Sequence, residues 1–365
     1  MSDTARFADL RVFEARDNEY WPSIIIPRLQ IEREIGRLAD LPVDAAKGRE
    51  SLVVHPLSKE PGLGLAPGID VLLSVLRPGE SSVPRRHNAG QLSISITGAG
   101  LSEINGKRIR FEKWDVWTTP SMAVYRVTND TKDLLAYFTY SNRPMLCKLE
   151  IYHAETGVAM PDVEVLPIPP PAERAKSRAP IKAITPDGAH LMSYEHLVDP
   201  DYVANRPLHW SFKTVRQELE DVKRIGDGYT GRRLYVLYNP ATEARNGTTH
   251  SFFASIAAYP PDMVDEPHRH SSAAINYYLS GNGKSVVLGK KFQWEGGDLM
   301  LSAPGWAVHG HGSRNQGFYA LTVQDHPLQI AMESLIWQEN MRGPIRNLGA
   351  ELGFQTNLKD VVGAT

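Results

Sequence analysis

The stretch Pro267-His268-Arg269-His270, with Ala274, Gly281-Asn282-Gly283-Lys284, Gly296-Gly297-Asp298 and Pro304-Gly305-Trp306-Ala307-Val308-His309-Gly310-His311 after it, decides the reading of this chain. Glycine turns and alternating apolar residues fill the interval, the texture of short antiparallel strands. Side chains at i and i+2 of a strand share a face, so His268 and His270 point the same way. His309 follows on a later strand and can close the third corner of a coordination polyhedron. Neutral imidazoles suit iron, zinc, nickel and copper. Gly281-Asn282-Gly283-Lys284 reads as a hairpin turn, not a phosphate loop, because no helix signal follows it.

Working outward, the same pattern occurs twice. Pro84 to Gly98 and Pro267 to Gly281 each span 14 steps, and Gly98 to Asp115 and Gly281 to Asp298 each span 17. Pro120 and Pro304 are each followed five positions later by Tyr125 and His309, and Pro144 answers Pro327 at the original offset of 183. One register held over this length predicts duplicated all-β units, each a double-sheet jelly roll or small barrel. The copies differ where it matters. Arg85, His87 and Tyr125 stand in the first copy where His268, His270 and His309 stand in the second. An arginine does not lose its proton to become a ligand, so the second copy is the one expected to bind metal, and His87 reads as an interior leftover.

The rest of the chain sets the frame. It has 365 residues, enough for two domains with sizeable cores. Net charge is −2 with 22% charged residues, and no basic run marks a nucleic-acid partner. No apolar run reaches membrane-spanning length and the first residues do not read as a signal peptide. The single Cys147 excludes an internal disulfide framework, reads as a strand residue, and fits a reducing cytoplasm. Residues 1–60 read as a partly helical N-terminal arm for packing or self-association, 61–158 as the first unit, and 159–232 as a Pro-rich linker with a connecting region. The second, metal-binding unit takes 233–330. A helix expected over Leu328–Met341 opens a C-terminal helix and tail, 331–365.

A family resemblance rests on these residues. Pro267-His268-x-His270, Gly281, Gly297, Pro304 and His309 resemble the two cupin motifs, and their doubling resembles the bicupins, which are paired double-stranded β-helix barrels. The nearest resemblance is to ring-cleaving dioxygenases of the gentisate, 1-hydroxy-2-naphthoate and salicylate group. It is carried by His268-Arg269-His270 running to Gly281, by Trp306-Ala307-Val308-His309-Gly310-His311-Gly312, and by Gln324-Asp325-His326-Pro327-Leu328. The resemblance implies an extradiol-type non-haem iron(II) enzyme that uses O₂ to open a hydroxylated monocyclic aromatic ring. Manganese, nickel or zinc are the alternative ions. His268, His270 and His309 would hold the metal, with His311 as acid/base and Asn276 bonding a ring substituent. Tyr278 and Trp306 would line an aromatic slot, and Asp325 would orient an imidazole or cap the helix after it.

Three departures stand out. Ala274 replaces the glutamate that many cupins use as a fourth ligand, a loss that fits the dioxygenase group. Asn276 replaces a substrate-binding arginine, which points away from a carboxylated ring. The metal is expected in the second copy, as in the large subunit of two-component hydroquinone dioxygenases, so a separate small subunit or a homo-oligomer is a possible partner. Two other readings remain open: a non-redox metal-dependent cupin (decarboxylase, isomerase or hydrolase), and a small-molecule-binding bicupin without catalysis.

Overall fold

The computed structural model describes residues 20–42, 48–165, 180–198, 203–226, 228–229, 231–349 and 356–362. The start of the expected arm and most of the Pro-rich linker lie outside these residues. The described chain is mostly antiparallel β, and no described helix is long and apolar enough to cross a membrane.

The repeat is visible strand by strand. In one sheet Val116–Thr119, Gln91–Thr97, Leu135–Ser141 and Asp70–Leu76 lie side by side in that order. In another, Leu299–Ala303, Ala274–Val287, His309–Gln324 and Phe253–Tyr259 take the same order. Even the non-strand anchors coincide. The Asp115 carboxylate accepts from the backbone N–H of Glu112 and of Phe212, the first residue of helix Phe212–Lys223. Asp298 accepts from Glu295 N–H and from Arg28 N–H, the first residue of helix Arg28–Asp40. Each aspartate therefore ties a turn and offers negative charge to the positive end of a helix.

Strand alternation explains why both faces of these strands are apolar. Ala136, Phe138, Ile275 and Tyr277 face a core shared by the two copies, where Phe138 and Tyr277 meet edge-on at 5.6 Å. Tyr137 turns into a cluster of the first copy with Phe111 and Trp117. Tyr278 turns into a cluster of the second with Trp294 and Phe318. The described part of the arm spans the two copies: Ile24–Ile26 pairs with Leu299–Leu301, and Glu50–Val53 with Val71–Ser74.

Three local expectations are corrected. Gly281-Asn282-Gly283-Lys284 is not a hairpin turn but an irregular stretch inside the strand Ala274–Val287. The turn lies at Leu288-Gly289, between the paired Val287 and Lys290. It corresponds to Asn105-Gly106 of the first copy, with matching left-handed φ angles of 47° at Asn105 and Leu288. Leucine gives no turn signal, which is why the sequence misplaced it. Cys147 sits in the short helix Arg143–Lys148 rather than on a strand. The expected helix over Leu328–Met341 is a short one, His326–Ala331, followed by a strand Ile336–Gln338 that pairs with Arg269–His270.

A left-handed leucine costs about 1 kcal/mol that asparagine largely avoids, and Leu288 is 68% exposed. Leu288→Asn is therefore expected to raise the denaturation midpoint by roughly that free energy, with no change in the dependence on denaturant.

Candidate metal centre

The strand pair that closes the second copy builds the site. His268 and His309 face each other across an antiparallel bridge, each backbone N–H donating to the other's carbonyl at 2.9 Å. His270 lies two residues on. All three are at most 4% exposed, and their candidate ligand atoms lie within 4.8 Å of one another. Each ring is oriented through Nδ1 by a nearby carbonyl: Glu266 at 3.1 Å, Ser272 at 2.8 Å and Ala307 at 2.8 Å respectively. A carbonyl only accepts, so Nδ1 carries the proton in each ring and the Nε2 lone pair is left for a metal. Burial is the main cause that pushes all three well below the usual histidine range, to about 3 for His309. Three neutral imidazoles with matched tautomers fit a divalent transition ion.

The first copy shows the same scaffold without that capacity. The Arg85 guanidinium is paired with Glu50, and His87 Nε2 is 3.2 Å from the Tyr125 hydroxyl. The phenol meets the nitrogen that faces the metal position in the second copy.

A cavity of about 90 Å³ opens beside this cluster, lined by His268 and His309. Asn276 and Tyr278 line it, as strand parity predicts, and so does His311. Tyr278 stacks on Trp294 with ring centres 3.7 Å apart. His311 Nδ1 is 2.8 Å from Ser285 Oγ, which also accepts from Trp294 Nε1. Burial, then the positive charge of Arg232, hold His311 neutral by lowering its pKa to about 4.

Two expected pocket residues lie elsewhere. Trp306 stays outside the cavity under the Arg269 guanidinium, 4.4 Å from its ring centre. Asp325 neither meets a ligand imidazole nor makes a side-chain cap for the following helix. Its Oδ1 accepts from Ala273 N–H at 2.9 Å, fixing the backbone behind His270. Asn142 does the same for Gly90 in the first copy, at 3.0 Å.

That equivalence gives a test. Burial lifts the Asp325 carboxyl to about 6. Its folded value lies above the unfolded one of about 3.9, so the stability it confers is present below pH 4 and lost as pH rises through 6. Asp325→Asn keeps the acceptor and removes the charge. Thermal melts should show no gain at pH 4 and a gain on the order of 2 kcal/mol at neutral pH. Ligand binding should be retained, and loss of binding with the fold intact would return Asp325 to the pocket.

Three residues that sequence reasoning missed complete the wall. Trp337 stacks over His270 at 4.6 Å and lines the cavity. His326 lies 5.5 Å from the His270 ring, buried and lowered to about 3 chiefly by burial. Arg232 is half-buried, with ion pairs to Glu339 at 3.1 Å and Asp265 at 3.7 Å. His326 and Trp337 fall on the repeat register opposite Arg143 and Ala154, the first just before the last shared landmark, Pro327, and the second ten residues past it. Arg232 precedes the repeated landmarks and carried no signal. Among the described residues, Asn276 Oδ1, Gln324 Oε1 and His326 Nε2 are buried without a hydrogen-bond partner, and all three residues line this cavity.

Comparison with known proteins agrees with this geometry. An AraC-like ligand binding domain model matches residues 250–356. A 5-aminosalicylate 1,2-dioxygenase of Comamonas sp is 23% identical over 266 residues, 71% of this chain and 66% of that protein. The match thus spans just under two thirds of that relative. A gentisate 1,2-dioxygenase of Haloferax sp is 25% identical over 328 residues, 87% of this chain and 85% of the relative. The resemblance to these ring-cleaving dioxygenases holds. The crystal structure of a salicylate 1,2-dioxygenase from Pseudaminobacter salicylatoxidans superposes with a TM-score of 0.68 at 15% identity, covering 91% of this chain and 92% of that one. The fold is the duplicated cupin expected from the repeat.

Proposed function

We propose that this chain is an iron(II)-dependent, extradiol-type dioxygenase that opens the ring of a small hydroxylated aromatic with O₂. The observation that carries the reading is the set of three buried histidines, each with its Nε2 lone pair free, beside a cavity with an aromatic wall. His268, His270 and His309 would hold the iron(II), which when bound would supply Lewis-acid and redox chemistry toward a phenol and O₂, the combination ring opening needs. The residues around it supply the rest. Tyr278 and Trp337 both line the ring space and help to dry it, and His311 is a neutral acid/base group beside His309, with ring centres 5.6 Å apart. Asn276 Oδ1 is a buried acceptor for a ring hydroxyl.

Arg232 changes the reading of the substrate. Asn276 removed the arginine expected at its own position, yet a guanidinium lines the same cavity from another element. Its partner Glu339 also accepts from Trp337 Nε1 at 2.6 Å. A substrate carboxylate would compete with Glu339 for this paired donor set. We therefore favour a salicylate- or gentisate-like acid over hydroquinone, acting in the cytoplasm.

The test is oxygen uptake by anaerobically iron(II)-loaded protein offered gentisate, salicylate and hydroquinone, with ultraviolet spectra alongside. The expected result is uptake with loss of the aromatic band, favouring a carboxylated ring. Arg232→Gln should raise KM for that acid about tenfold or more while changing kcat little. Absence of uptake with any of the three, in protein carrying one metal per chain, would reject the dioxygenase. Aromatic binding without oxygen consumption would instead support a binding bicupin, the reading that the AraC-like ligand binding match favours.

A further inference from the structure

The first copy retains an open interior where the second has its metal cavity. Its volume is about 170 Å³, and Arg85, His87, Tyr125 and Arg143 line it. On the repeat register these replace His268, His270, His309 and His326, so the space is the direct counterpart of the metal cavity. Strand Ala154–Thr156 covers it by pairing with Arg85–His87, as Ile336–Gln338 covers the other.

We propose that this first-copy cavity is a second, metal-free site that binds a small organic carboxylate between Arg85 and Arg143. Arg85 Nε is buried with no partner among the described residues, while the same guanidinium holds Glu50 through its terminal nitrogens. Leaving such a donor buried and unpaired is costly unless a ligand supplies the acceptor. Arg143 is engaged through Nε alone among the described residues, by Asp70 at 2.8 Å, which leaves its terminal nitrogens for a second acceptor. A planar carboxylate can accept from the Arg85 Nε–H and from the terminal nitrogens of Arg143, and it matches such charged donors better than a neutral group of its size. Thr139, Ser141 and Tyr152 add hydroxyls to the lining.

Charge and size agree. The guanidinium groups of Arg85, Arg86 and Arg143 face the carboxyl groups of Glu50, Asp70 and Glu155. Burial raises the Asp70 pKa, against the pull of the Arg143 charge. The His87 pKa falls to about 4, through burial first and then the Arg85 charge, with Arg143 adding to it, so both guanidinium groups act on one space. A cavity of roughly 150 Å³ already accepts benzene, so a benzoate-sized acid is of the right scale. No metal or ring-opening step enters this inference, and it stands or falls apart from the proposed reaction.

The experiment uses the full-length, metal-free chain and 4-bromobenzoate as the probe. In soaked crystals the bromine anomalous signal should appear in the first-copy cavity, with the carboxylate on Arg85 and Arg143. Calorimetric titration should show binding that is weakened about tenfold or more in Arg143→Gln. Bromine confined to the second-copy cavity, or no bromine in either at millimolar probe, would overturn the proposal. So would unchanged affinity in a folded Arg143→Gln protein. The crystal result does not depend on any variant folding.

Discussion

His309→Ala is expected to lose the metal while the chain stays folded. His309 supplies one of three converging Nε2 atoms. Groups that merely orient a ligand typically contribute about 10–100-fold to metal affinity, and removing a ligand itself should exceed that. After dialysis against a weak chelator, elemental analysis should find one metal per wild-type chain and almost none in the variant. Metal also stabilises only the state that binds it. Chelation should therefore lower the melting temperature of the wild type and leave that of His309→Ala nearly unmoved. Oxygen uptake should disappear with the metal. A variant that keeps a full equivalent of metal would remove the three-histidine centre from consideration.

Gly281→Ala should be among the most damaging single substitutions in the chain. Gly281 has φ 83°, and a Cβ there would fall on the Gly317 carbonyl oxygen and 2.8 Å from Phe318 Cα. Both obstacles are backbone of the neighbouring strand, so relief requires the central sheet of the second copy to part. We expect a loss of about 4 kcal/mol or more, in the range reserved for strain that cannot relax. Gly289→Ala is the control. Its φ is 79° but nothing lies within 4 Å of the added Cβ, so only the left-handed penalty of about 1 kcal/mol applies. Denaturant titration of the two variants separates crowding from backbone preference. Similar losses in both would show that the sheet yields at Gly281.

The sequence by itself determined the duplication and singled out the three histidines that converge. Landmarks at an offset of 183 return as equivalent strands, the carboxylates of Asp115 and Asp298 return as equivalent turn and helix anchors, and the parity of residues 274–278 places Asn276 and Tyr278 inside. These features are legible because they are local or periodic: a strand has a period of two, and a repeated fold repeats its fixed points. The second turn was lost because Leu288 takes a glycine-like conformation without a glycine-like residue.

Only the tertiary structure decided who stands around the three histidines. Trp306 lies next to the motif in sequence but is stacked against Arg269 outside the cavity, while Trp337 comes in because Ile336–Gln338 pairs with Arg269–His270. Asp325 is drawn to the Ala273 N–H, and Arg232 joins the wall from before the second copy's first landmark. Membership of a cavity is set by which segments pair across long stretches of chain, and no local period records that choice.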